Sequence, residues 1–352
     1  MGELALISIG LSDEKDISLR GIEEARSCDR LYVEFYTSVL NTTLQKLSEL
    51  LGKPITQLRR KDLEESAEVI LREAERSRVG ILVGGDSLAA TTHIALLLEA
   101  RKRGINTKVV HGSTALTAIA ETGLSLYHFG KTATIPMSSK GSLPTSPYLT
   151  LEENLGKGLH TLLLLDLDVE KGESLSLNDA FHLMLKVEAE EGKGVFTEDT
   201  LVVGAARLGS DTQLVKAGKL SELLDLDFGP PPQILIVPGG LHFIEEEALK
   251  VLCQCKDEDL RERRRFVEDV EWRARKYIES CKRVLRELEF VSDAPQRDDP
   301  KVKELLGYAD MYLEDAKYYL EAGRKASSLA SVGYCEGILD ALRLMKLVKF
   351  EW

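Results

Sequence analysis

The chain has 352 residues and a formal net charge of −12, with 43% apolar and 30% charged residues. At roughly 100–200 residues per domain that length predicts two or three domains, and the apolar share is enough to build their cores. The acidic balance excludes a general nucleic-acid binder, which needs clustered Lys and Arg to neutralise phosphates.

Met1–Gly10 carries no basic leader, and Asp13, Glu14 and Asp16 follow at once, so a cytoplasmic protein is expected. Leu4–Ile9 reads as a buried strand. Leu19–Asp29 reads as a helix with Ser18 as N-cap and Leu19, Ile22 and Ala25 on one face. Leu31–Phe35 is the next strand, Thr42–Leu51 a helix stopped by Gly52, and Lys61–Ser77 another helix. Val79–Val83 is a strand, Gly84–Ser87 a turn, Ala89–Arg103 a helix and Thr107–Val110 a strand. Strand and helix alternate through this stretch, which predicts a mainly parallel sheet with ligand-collecting loops on one edge.

Leu159–Leu165, Leu201–Ala206 and Ile234–Val237 are further apolar strands, with helices at Ser176–Val187 and Glu245–Leu252 and turns at Gly141–Pro147 and Gly229–Pro232. The run Leu162–Leu165 stops at Asp166 and is too short to span a bilayer. This half reads as a second α/β domain of more mixed strand order. From Lys256 the chain turns charge-dense and helical. Phe266, Val270, Tyr277, Cys281, Val284 and Leu288 recur at helical spacing, Ser292–Pro300 breaks the helix, and two more helices carry Leu306–Leu320 and Leu329–Met345. The expected boundaries are 1–112, 113–255 and 256–352.

Gly10 in the first strand-end loop allows close backbone approach, although the loop is not G-x-G-x-x-G. In Gly84-Gly85-Asp86-Ser87 the carboxylate disfavours phosphate; it either faces a cationic or amine-bearing ligand or caps the next helix. His111-Gly112-Ser113-Thr114-Ala115 leaves room for a ligand or makes a tight turn. The six histidines show no metal-ligand spacing, and the five cysteines read as buried thiols, so no metal is expected. P-loop, H-E-x-x-H and G-x-S-x-G motifs are absent. From the residues alone, then, the chain is a two-domain α/β protein with a strand-end ligand site.

Six stretches carry a resemblance. They are Gly10–Ile17, Tyr32–Ser38, Gly85–His93, Phe129–Thr134, Gly158–Leu163 and Leu235–Gly239, in order over about the first 250 residues. Together they resemble the diphthine synthase family of the tetrapyrrole methylase superfamily. The resemblance implies two α/β domains of tetrapyrrole-methylase type with a C-terminal all-α three-helix domain. It implies S-adenosylmethionine in the cleft between the α/β domains (leaving S-adenosylhomocysteine) and usually a homodimer. The implied acceptor is the amino group of a 3-amino-3-carboxypropyl-histidine in translation elongation factor 2, made into diphthine. Matching positions imply cofactor contacts at Leu11, Asp86, Ala89, Thr114, Ala115, Leu165, Ala206 and Gln233. Tyr36, Thr37 and His93 are candidates to shape the acceptor side or are structural, and no general base is named.

The chain departs from the family pattern at three places. Ser87 stands where Pro is usual, Ser8 and Gly10 replace a G-x-G, and Gln233 occupies a position that is commonly His. These departures allow a divergent paralogue and support one alternative, a catalytically inactive binding module. The other alternative is a methyltransferase of the same fold acting on a small molecule such as a tetrapyrrole. The region from Lys256 resembles a small archaeal helical domain of unknown function and implies an archaeal source. Within it Arg261, Arg263, Arg264 and Arg265 form a basic cluster, read as a solvated helix face or as a contact for an acidic partner or the ribosome.

Overall fold

The computed structural model describes residues 2–64, 66–137, 143–260, 270–291 and 300–352. The chain divides into two compact units, Met1–Leu260 and Arg261–Trp352.

The first unit opens with β1 (Glu3–Gly10), α1 (Leu19–Ser27), β2 (Arg30–Glu34), α2 (Leu44–Leu51), β3 (Thr56–Leu58), α3 (Arg60–Glu64), α4 (Glu68–Ala74), β4 (Arg78–Gly84), α5 (Ile94–Lys102) and β5 (Asn106–Val110). The strands form one sheet, in the order β3-β2-β4-β1-β5, parallel throughout. Successive side chains of a strand point to opposite faces. Leu4 and Leu6 therefore pack with α4 and α5 on one face, whereas Ala5, Ile7 and Ile9 pack with α1 and α2 on the other.

Local signals set the helix ends. Ser18 accepts from the Gly21 N–H at 3.0 Å, and Gly52 closes α2 with a φ of 68°. Leu19, expected on the buried face of α1, is 80% exposed. The buried face carries Gly21 and Glu24 beside the expected Ala25, with Arg78 and Lys108 pairing the Glu24 carboxylate. The expected helix Lys61–Ser77 is two, α3 and α4, and the expected start of α5 at Ala89 falls at Ile94. Residues 89–93 form turns, with Ala90 at a φ of 57°.

The unit continues with α6 (Ala115–Ala118), β6 (Ala133–Ile135), α7 (Thr145–Gly156), β7 (Thr161–Leu165), β8 (Leu167–Asp168), β9 (Glu173–Ser174), α8 (Leu177–Glu191), β10 (Leu201–Ala206), β11 (Leu214–Lys219), α9 (Leu220–Leu223), β12 (Gln233–Val237) and α10 (Phe243–Leu252). The second large sheet has the order β11-β10-β12-β7-β6. Its only parallel pair among the described residues is β6 with β7, so its order is mixed as expected. Phe181, Met184, Phe196 and Phe228 fill one face, and Leu249, Cys253 and Leu260 lie on the other.

The second unit contains α11 (Val270–Glu287), β13 (Glu289–Phe290), α12 (Pro300–Glu321), α13 (Lys325–Leu344) and β14 (Val348–Lys349). Ile278, Cys281, Val284, Ala309, Leu313, Ala316, Val332, Cys335 and Leu339 form its core, at the spacing expected of helices that bury one face. The Ser328 hydroxyl donates to the Ala316 carbonyl at 2.7 Å, and the Trp352 indole N–H donates to Asp340 at 2.9 Å. The basic cluster Arg261–Arg265, Phe266 and most of the Ser292–Pro300 break lie outside the described residues.

Candidate active site

The C-terminal ends of β1 and β4 meet where a parallel sheet collects ligands. Gly10 and Gly85 exchange backbone hydrogen bonds of 3.2 and 2.8 Å. Both need glycine, with φ of 108° and 68°. A side chain at Gly112 is excluded too, since its Cβ would lie 2.7 Å from the Ser8 Cβ. Ser8 supplies its hydroxyl oxygen to the Ser87 N–H at 2.9 Å, so two of the unusual residues are direct partners.

Asp86 joins the loops after β4 and β5. Its Oδ1 accepts from the Leu88 N–H at 3.0 Å. Its Oδ2 accepts from the Gly112 N–H at 3.1 Å and from His111 Nδ1 at 2.8 Å. Burial pushes the Asp86 pKa up, but these donors outweigh it and hold the carboxyl below its ordinary range.

Beside this junction lies a cleft of about 390 Å³. Such a volume falls among ligand pockets, which run roughly 300–1,000 Å³. Leu11, Ala89, Thr114, Ala115, Leu165 and Gln233 line it, six of the eight expected cofactor positions. Asp86 and Ala206 do not. Asp86 braces the loops from behind, and Ala206 is fully buried between the lining residues Ala205 and Arg207. The Gln233 amide is committed at both ends, accepting from the Leu177 N–H at 2.7 Å and donating to the Gly229 carbonyl at 2.5 Å.

Tyr36, Thr37, Ser38, Arg60 and Glu64 line another part of the cleft, with Ala90, Thr91 and Thr92. Glu34 shapes this part from beneath. It is wholly buried and accepts from the Tyr36 N–H at 3.0 Å, the Thr37 N–H at 3.1 Å and the Thr37 hydroxyl. Burial nevertheless raises its pKa. His93, also buried, has Nδ1 3.2 Å from the Ser87 carbonyl and Nε2 3.4 Å from the Tyr36 hydroxyl. Burial lowers its pKa. The neutral ring therefore donates from Nδ1 and accepts from Tyr36, placing His93 behind the wall that Tyr36 presents.

Sequence reasoning passed over Arg60, Glu64, Asp166 and Arg207 as cleft residues. Asp166 had a signal, an acid directly after a buried apolar run. The others had none, because their elements come together only in the fold.

His128, His160 and Glu245 converge elsewhere, their ligand-type atoms within 4.8 Å of one another. His160 Nδ1 accepts from the Gly239 N–H at 2.8 Å, which leaves its Nε2–H to donate to Glu245 at 3.1 Å. Glu245 also accepts from the His242 and Ser125 N–H groups and so fixes the start of α10. Hydrogen bonding accounts for this cluster.

Residues 3–224 match the family model of Tetrapyrrole (Corrin/Porphyrin) Methylases. A diphthine synthase of Methanocaldococcus jannaschii is 40% identical over 254 residues, 71% of this chain and 99% of that protein. One of Methanocella arvoryzae is 44% identical over 256 residues, 72% of this chain and 99% of the other. The chain belongs to the diphthine synthase family. A crystal structure of diphthine synthase superposes with a TM-score of 0.68 at 36% identity, covering 74% of this chain and 99% of its own. A putative diphthine synthase from Entamoeba histolytica gives 0.67 at 35% identity, covering 73% and 100%. Residues 276–348 match a separate family described as a protein of unknown function, DUF357. Membership of the diphthine synthase family makes the chain an S-adenosylmethionine-dependent methyltransferase.

Proposed function

We propose that the protein methylates the amino group of the 3-amino-3-carboxypropyl-histidine of translation elongation factor 2, forming diphthine. The observation that carries this reading is the convergence of six expected cofactor positions on one cleft in a chain of this family. The cleft suits S-adenosylmethionine. Leu11, Leu165, Ala89 and Ala115 offer small or aliphatic surface for its adenine and thioether portions. Gly85 leaves open space where a Cβ would stand, exposing backbone to the ligand. When bound, this cofactor supplies a methyl group already activated by a sulfonium. The chain's part is to orient the acceptor nitrogen and exclude water, for which a rigid strand-end frame serves. Asp86 contributes by fixing the loops and Ala206 by holding β10 in register with Gln233.

The test is mass spectrometry of elongation factor 2 bearing the 3-amino-3-carboxypropyl-histidine after incubation with the protein and S-adenosylmethionine. Mass gains in methyl steps on that histidine are expected. No gain with cofactor binding intact would reassign the acceptor.

Within the same reading, we take the functional form as a cytoplasmic homodimer from an archaeal source. The outer face of α10 exposes Phe243, Ile244, Val251 and Leu252, and the adjoining turn exposes Tyr127, an apolar patch of the kind that partners cover. No helix among the described residues is long and apolar enough to cross a membrane. We place the domain boundaries at 112 and near 255, the first supported by a sheet that ends at Val110; the compact unit containing the second sheet runs on to Leu260.

A further inference from the structure

We propose that Arg60 and Glu64 form a docking pair for the amino-acid head of the acceptor, Arg60 for its carboxylate and Glu64 for its amino group. The inference rests on the acceptor reading above and names the residues that recognise it.

Four charged residues line the cleft among the described residues: Arg60, Glu64, Asp166 and Arg207. Arg207 is spent within the protein and Asp166 is partly engaged. The Arg207 guanidinium donates to the carbonyls of Thr212, Phe228 and Pro230 at 2.6–3.1 Å. Asp166 accepts from the Met137 N–H at 3.1 Å. Arg60 and Glu64 make no ion pair among the described residues. The Arg60 guanidinium lies 5.5 Å from the centroid of the Tyr36 ring, and its backbone N–H donates to Glu170 at 3.1 Å. Among the described residues the Glu64 carboxylate accepts a hydrogen bond from the Thr92 hydroxyl alone, at 3.4 Å.

The two residues stand four apart on α3, so they share a helix face, and both line the cleft. A cation and an anion thus share one helix face, neither held in an ion pair among the described residues, although the charges of Asp168 and Glu34 also reach Arg60. The acceptor group has the complementary pattern, an amine and a carboxylate on one carbon. The guanidinium fork can take the carboxylate through two parallel hydrogen bonds, which fixes orientation as well as position. Glu64, one helical turn away, then faces the amine. An acceptor without the carboxylate would leave Arg60 unsatisfied, which turns the pair into a specificity device.

The experiment measures binding of elongation factor 2, with its histidine modified or unmodified, to the full-length chain without cofactor, together with KM and kcat for methylation. The wild type should bind the modified factor more tightly. Arg60→Met should weaken that binding and raise KM roughly ten- to hundred-fold, the worth of a charged hydrogen-bonding contact. Its binding of unmodified factor and of S-adenosylmethionine should not change. Arg60→Lys, which keeps charge without the fork, should fall between, and Glu64→Gln should give a smaller loss in the same direction. Arg60→Met that keeps wild-type discrimination would overturn the proposal, as would a parallel loss of cofactor affinity. A wild-type protein that neither binds nor methylates the modified factor would instead remove the acceptor reading, and the docking pair with it.

Discussion

Two carboxylates stand at strand ends beside the same cleft, and the fold treats them oppositely. Asp86, after β4, and Glu34, at the end of β2, each accept three hydrogen bonds. Asp86 is held below its ordinary range, with the His111 ring among its partners. Glu34 is raised, because it has no exposure to water. Hydrogen bonds alone therefore do not set the charge state; the hydration that remains decides which effect wins. Asp86 serves as an ionic brace between loops, whereas Glu34 gathers backbone donors under the cleft wall of Tyr36 and Thr37.

Removing each group sharpens this contrast. Glu34→Ala has the largest expected effect, a loss of roughly 3–5 kcal/mol, because it strands buried N–H groups and opens a cavity. Urea denaturation measures it, and a loss below that of Asp86→Ala would refute the ranking. Asp86→Ala should cost about 1–3 kcal/mol and weaken S-adenosylmethionine binding through loosened loops. Unchanged affinity in calorimetry would separate Asp86 from the site.

The pH dependence of stability should differ in sign between the two. The contribution of Asp86 is present above about pH 3.9, its unfolded value, and is lost as pH falls through its depressed folded pKa. That of Glu34 is present below about pH 4.3 and is lost as pH rises through its raised pKa. Glu34→Gln should therefore gain stability relative to wild type as pH rises above about 4.3. The deficit of Asp86→Asn should be full above about pH 3.9 and shrink as pH falls below it. Buried His93 adds a third slope: its contribution is present above about pH 6.5 and lost as pH falls through its lowered pKa, and His93→Gln should flatten it. Denaturation at several pH values reads all three. The smallest effect belongs to Gln233, a neutral group satisfied at both ends. Gln233→His can restore one donor and one acceptor, so cofactor affinity should stay within about threefold.

Much of the frame was legible in the chain. The apolar runs marked β1, β4, β7, β10 and β12 because buried strands need no polar face. Ser18 and Gly52 marked helix ends through local capping. The edge strands β3, β6 and β11 escaped notice: β3 and β6 are only three residues long, and Lys216 and Lys219 interrupt β11. Residues 89–93 carry helix-forming alanines, yet they turn beside the Asp86 junction, and Thr91 and His93 both bind the Ser87 carbonyl. Tertiary contacts override propensity there.

The sequence by itself determined the alternation of elements, the family and the strand-end location of the cleft, since these follow from local patterning and short motifs. Only the tertiary structure decided which charges are free. Arg207 and Arg60 look alike in the chain, but one is bound by the carbonyls of a neighbouring loop and the other is left to the cleft, because partners distant in sequence come into reach only when the sheets assemble.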